Sequence, residues 1–90
     1  MKLSEIQKRN YEATVKRGLI KPDTTKDDFV DKMYEELNEF VHATNEQNQF
    51  EELADIITVC LCYAYHFKID IKKQLKKVLI KNEKRAIISK

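Results

Sequence analysis

Glycine and proline are nearly missing from this 90-residue chain, with one of each, and tryptophan is absent. So few breakers leave little room for the tight turns of a β-rich fold and point to helices. Two cysteines cannot build a disulfide framework. Cys60 and Cys62 stand two apart in an apolar run, where they read as small buried hydrophobes of a reducing compartment. No CxxC spacing occurs, and His42 and His66 are isolated, which excludes the usual zinc sites. The longest apolar stretch, Ala54 to Phe67, is too short to span a bilayer and begins beside Asp55. Met1 to Asn10 carries charges where a signal peptide needs an apolar core. A cytoplasmic protein with no membrane partner is therefore expected.

No sign of charge dominates either: 17 basic residues face 15 acidic ones, for a net charge of +2. That balance is not the footprint of a nucleic-acid-binding protein. Its distribution is uneven, however. Acids gather between Asp27 and Asp55, while the stretch from Lys68 to Lys90 is strongly basic. An acidic centre beside a basic arm suits a metal-bound phosphate ligand; two differently charged solvated faces are the plainer alternative.

What the chain does have is helical periodicity, and it predicts four helices in a single domain over residues 1–90. The first runs from about Ser4, a candidate cap, to Arg17, with Gly18 as the stop. Thr25 and Asp28 have capping-box spacing, so a second helix should start there and run to about Ala43. Phe29, Met33, Leu37, Phe40 and Val41 keep helical spacing along it. Thr44 to Gln49 is polar and reads as a tight turn before a third helix, about Phe50 to Phe67. Asp70 caps a fourth, with Ile71, Leu75, Val78, Leu79 and Ala86 on one stripe. Beyond Asp55 the third helix is apolar nearly all round and wants cover on every side. A small domain offers little such cover. An all-α four-helix bundle completed by dimerisation is the expected architecture.

Helical geometry also places the acids. At 100° per residue, Glu36 borders the apolar stripe of the second helix. Glu39 and Lys32 lie slightly further round, and Glu35 points away. On the third helix Asp55 projects above Val59 and Cys62, in a region destined for burial, and Glu52 is its i,i+3 neighbour. Carboxylates held together near apolar surface call for a compensating cation, and Mg²⁺ prefers oxygen ligands. Ordinary solvated helix surface is the alternative for all of them. Glu36 and Asp55 resist it best on physical grounds.

The run Lys32-Met33-Tyr34-Glu35-Glu36-Leu37-Asn38-Glu39, followed by Glu51-Glu52-Leu53-Ala54-Asp55, resembles the EExxE…ExxD signature of the MazG-like all-α nucleoside triphosphate pyrophosphatases. Lys68-Ile69-Asp70 and the closing Lys81-Asn82…Arg85 extend the resemblance from about Phe29 to Arg85. It implies an Mg²⁺-dependent enzyme, with Mn²⁺ as the alternative ion, that cleaves a (d)NTP to a (d)NMP and pyrophosphate. It also implies a homodimer or homotetramer, in agreement with the third helix.

The implied metal ligands are Glu36, Glu39, Glu52 and Asp55, with Glu35 as accessory. Glu39 is the candidate for orienting or deprotonating the attacking water. Lys32, Lys81, Asn82 and Arg85 are candidates for holding phosphate or substrate. The family's usual lysine four residues before the asparagine is Val78 here, a departure from the pattern for which Lys77 and Lys81 are the candidate substitutes. Two rival readings stand beside this one: phosphoribosyl-ATP pyrophosphatase, which shares the acidic motifs, and a non-catalytic helical interaction module. Phe29, Phe40, Phe50 and Phe67 read as core, and His66 as structural.

Overall fold

A computed structural model describes residues 1–88; the last two positions of the expected domain lie outside them. Four helices form, α1 (Leu3–Lys16), α2 (Lys26–Val41), α3 (Glu46–His66) and α4 (Ile71–Ile88), and no strand occurs among the described residues. The fold is thus the all-α four-helix arrangement expected. No helix of the described residues is long and apolar enough to cross a membrane.

Short-range chemistry sets most of the boundaries. Thr25 Oγ1 accepts from the backbone N–H of Asp28 at 3.3 Å, and Asp28 Oδ2 accepts from the N–H of Thr25 at 2.9 Å, which completes a capping box. Asp70 Oδ1 accepts from the N–H of Lys73 and starts α4. Gly18, at φ +78°, ends α1: its N–H donates to the carbonyl of Val15 and that of Leu19 to Thr14. This pair of bonds is the Schellman pattern, which needs a left-handed residue.

Three boundaries differ from expectation. Ser4 is not a cap; Lys2 precedes α1, and its carbonyl already accepts from Glu5 and Ile6. The second helix stops at Val41 rather than Ala43. The third starts at Glu46, four residues early, because Asn45 accepts from the N–H of Asn48 at 2.9 Å and caps it. Polar residues fit an exposed first turn as well as they fit a loop, so Thr44–Gln49 is only partly turn.

The main helix–helix contacts join α3 to α2 and α3 to α1. Ile20, Phe29 and Cys62 form the buried centre, with Tyr11, Met33, Val59 and Tyr63 packed on it. Burial pushes the Cys62 thiol up, a hydrogen bond with Thr14 opposing it. His66 ties three segments together. Its Nδ1 lies 2.7 Å from Tyr11 Oη and its Nε2 lies 3.0 Å from the carbonyl of Thr24. A carbonyl can only accept, so Nε2 carries the proton and Nδ1 accepts from the tyrosine. His66 is structural, as expected.

Several side chains read as core lie open instead. Cys60, Phe50 and Phe67 are exposed, as are Leu53 and Ile57 on α3. On α4 no residue is buried, and Leu75, Val78, Leu79 and Ile80 face out. The helix adds no interface comparable to those of α1 and α2. Its divergence shows in the radius of gyration, 15.4 Å, against about 12 Å for a compact chain of this length.

The turn into α4 repeats the Schellman bonding without glycine. Ile69 N–H donates to the carbonyl of Ala64 at 2.8 Å and Lys68 N–H to Tyr65, with Lys68 at φ 56°. A left-handed lysine costs roughly 1 kcal/mol. Lys68→Gly should therefore stabilise the protein by about 1 kcal/mol, read as a rise in Tm of roughly 4–8 °C; an unchanged or lower Tm would contradict the strain.

Candidate metal centre

α2 and α3 cross so that the second half of one meets the first half of the other, and the acids meet there. Glu36 and Glu39 from α2 and Glu52 from α3 each bring a carboxylate oxygen within 4.8 Å of the others. Glu36 is buried, at 6 % relative exposure, Glu52 is half-buried, and Glu39 is exposed. Both Glu36 and Glu52 hold an oxygen, Oε2 in each, that is buried and has no hydrogen-bond partner. A buried unpaired carboxylate oxygen is costly.

Lys32 relieves part of this crowding. Its ammonium lies 3.1 Å from Glu36 Oε1 and 3.4 Å from Glu35 Oε1. Partial burial works against the charge on Lys32, but hydrogen bonds to Glu36 and Glu35 outweigh it and raise its proton affinity. One ammonium cannot neutralise three clustered acids. Glu39 shows the remainder: a hydrogen bond with Glu52, the charge of Glu36 and some desolvation push its carboxyl up to about 7. Two unpartnered oxygens and a third crowded carboxylate are a donor set suited to Mg²⁺ or Mn²⁺.

The other expected site residues fall less closely. Asp55 is exposed, contrary to expectation, and stands outside the group of three. Its column explains why: Asp55, Val59 and Cys62 run from exposed through half-buried to buried. The contacts of α1 with α3 lie further along, where Gln7 bonds the carbonyl of Leu61 and Tyr11 bonds His66. Even so, Asp55 borders the cluster. Desolvation and the charges of Glu36 and Glu51 push its carboxyl up, with Lys32 pulling the other way. Glu35 is exposed and pairs with Lys32 rather than joining the three.

Lys81, Asn82 and Arg85 are exposed on α4, and no ion pair or hydrogen bond among the described residues joins them to the carboxylates. Asn82 is therefore solvated here. Lys77 lies with Lys72, Lys73 and Lys76 along a shallow basic groove of the same helix.

One feature was not read from sequence. Beside the acids lies a cavity of about 480 Å³ between α1, the α1–α2 connector, α2 and α3. Lys32 and Glu35 line it on the side of the carboxylate cluster. Its signal in the sequence was the i, i+3, i+4, i+7 set of Asp28, Asp31, Lys32 and Glu35 on α2.

The raised proton affinity of Glu39 predicts a pH dependence. Its carboxyl ordinarily titrates at 4.5 and in the folded chain at about 7. Folding therefore takes up protons, so stability is full below the ordinary value and falls as pH rises through the folded one. In chelator, Tm should decline between about pH 4.5 and 7, and Glu39→Gln should flatten that slope. Thermal melts across this window check it, and a slope left intact in the variant would refute it.

The family model for phosphoribosyl-ATP pyrophosphohydrolase matches residues 11–82, which include all four expected carboxylate ligands, Lys32, Lys81 and Asn82 but not Arg85. No curated protein and no solved structure matches the chain.

Proposed function

The chain belongs to the phosphoribosyl-ATP pyrophosphohydrolase family, and from that premise we propose that it is a divalent-metal-dependent pyrophosphohydrolase. The reaction is addition of water across the α–β phosphoanhydride of an adenosine triphosphate group, giving a monophosphate and pyrophosphate. The observation that carries this reading is the convergence of Glu36, Glu39 and Glu52, with two buried oxygens left without partners. Surface decoration on an interaction module would leave such oxygens in water, where they cost nothing.

The family match favours phosphoribosyl-ATP as the substrate over the free (d)NTP expected from the MazG-like resemblance. Free nucleoside triphosphates remain the second reading on the strength of the Lys81-Asn82…Arg85 ending. Both substrates present the same bond to the same acids.

Glu36, Glu39 and Glu52 would hold Mg²⁺ or Mn²⁺, with Asp55 completing the set from the border and Glu35 as accessory. A divalent ion held there would supply neutralisation of the charge that develops on the phosphate oxygens. Glu36 is fixed for this by Lys32 on one oxygen, which leaves the other free to bind. Glu39, the most exposed of the three, orients the attacking water and accepts its proton.

A second copy of the chain is the proposed partner. The open apolar residues of α3 and α4 need cover, and a partner's α4 is the natural source of the basic groups missing beside these acids. Cys60 and Cys62 are free thiols, which suits the cytoplasm.

Incubation with phosphoribosyl-ATP and a panel of NTPs and dNTPs, with and without Mg²⁺, tests the activity. Pyrophosphate should appear only with metal, and phosphoribosyl-ATP should be the preferred substrate; turnover of none would return the interaction module. Glu52→Gln and Glu36→Gln should each lower kcat more than about 100-fold, beyond the effect of residues that merely support a ligand. Asp55→Asn should do less harm than either, and full activity in Glu52→Gln would refute the assignment. Sedimentation should give a dimer or tetramer that Leu79→Glu or Ile57→Glu weakens, and a concentration-independent monomer would refute the partner.

A further inference from the structure

We infer that the cavity between α1, the α1–α2 connector, α2 and α3 receives the nucleoside end of the substrate, with Asp31 and Thr14 as residues that select it. The inference rests on the metal-dependent reading and assigns the other half of the same ligand.

The floor of the cavity is apolar: Ile20, Phe29, Val59 and Cys62. Three of these, Ile20, Phe29 and Cys62, are the buried core, so the floor is formed by core packing. Its volume, about 480 Å³, falls within the range of about 300–1,000 Å³ typical of small-molecule sites. A flat heteroaromatic ring suits such a surface.

The rim is acidic. Asp28, Asp31 and Glu35 border the opening on the α2 side together with one cation, Lys32, whose ammonium is already held by Glu35 and Glu36. Two hydrogen bonds from Thr25, backbone first and hydroxyl second, hold the Asp28 carboxyl below its usual range and keep it charged. Fixed carboxylates repel phosphate but accept hydrogen bonds from ribose hydroxyls and an exocyclic amine. The occupant is therefore the uncharged end of a nucleotide and not its phosphates.

Position supplies the link. Asp28, Asp31, Lys32 and Glu35 share one face of α2, and Lys32 also touches Glu36 at 3.1 Å. From Asp28 to Glu39 the helix advances roughly 16 Å, a continuous edge from the cavity to the acids. An extended nucleotide laid along it places its base over Phe29 and its phosphates by Glu36, Glu39 and Glu52.

Calorimetry with Mg²⁺ and two probes tests this: α,β-methylene-ATP, which carries a nucleoside, and inorganic tripolyphosphate, which does not. The wild-type protein should bind the nucleotide analogue at least about tenfold more tightly. Thr14→Phe, which fills the cavity from α1, and the exposed Asp31→Asn should weaken the analogue by about tenfold and threefold. Tripolyphosphate affinity should stay within about twofold in both. Equal binding of the two probes to the wild type, unchanged analogue binding in the variants, or a parallel loss of both probes in Asp31→Asn would overturn the inference. Failure of both probes to bind the wild type with Mg²⁺ would instead bring down the metal-dependent reading on which it rests, whereas failure of the analogue alone would overturn the inference.

Discussion

A carboxylate as deeply enclosed as that of Glu36 persists only with compensation. Lys32 supplies it to one oxygen, at 3.1 Å, and nothing among the described residues supplies it to the other. Glu52 repeats the problem from the facing helix, and Glu39 answers by holding a proton to about pH 7. The crossing of α2 and α3 therefore works against itself electrostatically unless a cation is present. The packing that forces the acids together lies elsewhere, in Phe29, Cys62 and the His66 tie, so the core stabilises what the site destabilises. This division is common where function and stability compete.

Much of this was readable from residues alone, and the reasons differ by element. Thr25 with Asp28, Gly18 and Asp70 declare helix ends through bonds made within four residues, so their chemistry is local. The start of α3 was hidden because Glu46, Gln47 and Asn48 suit a loop and an exposed helical turn equally. Glu36 was placed correctly beside the apolar stripe of its own helix. Asp55 is exposed, which was not legible because helical phase gives a face but not how far along the axis a neighbouring helix reaches; the bonds of α1 to Leu61 and His66 lie beyond it. Glu52 stands out in the sequence only as the i,i+3 neighbour of Asp55 and through the acidic signature, because its partial burial depends on the facing helix α2.

The least legible part was α4. Its stripe of Leu75, Val78 and Leu79 has the right period for burial, yet periodicity cannot say which chain does the burying. In the described structure these residues face outward, and the lysines and arginine expected beside the phosphates face outward with them. Cys60 and Phe50 belong to the same class. Each is apolar yet exposed.

An 18-residue helix without a buried residue has a further consequence. Helices of this length are marginal by themselves, and tertiary burial normally sustains them. The backbone amides of α4 are thus the ones most open to solvent exchange when a chain is alone, while those of α3 between its two neighbours are the most protected. Deuterium uptake along α4 becomes a gauge of how completely the helix is covered in any given preparation.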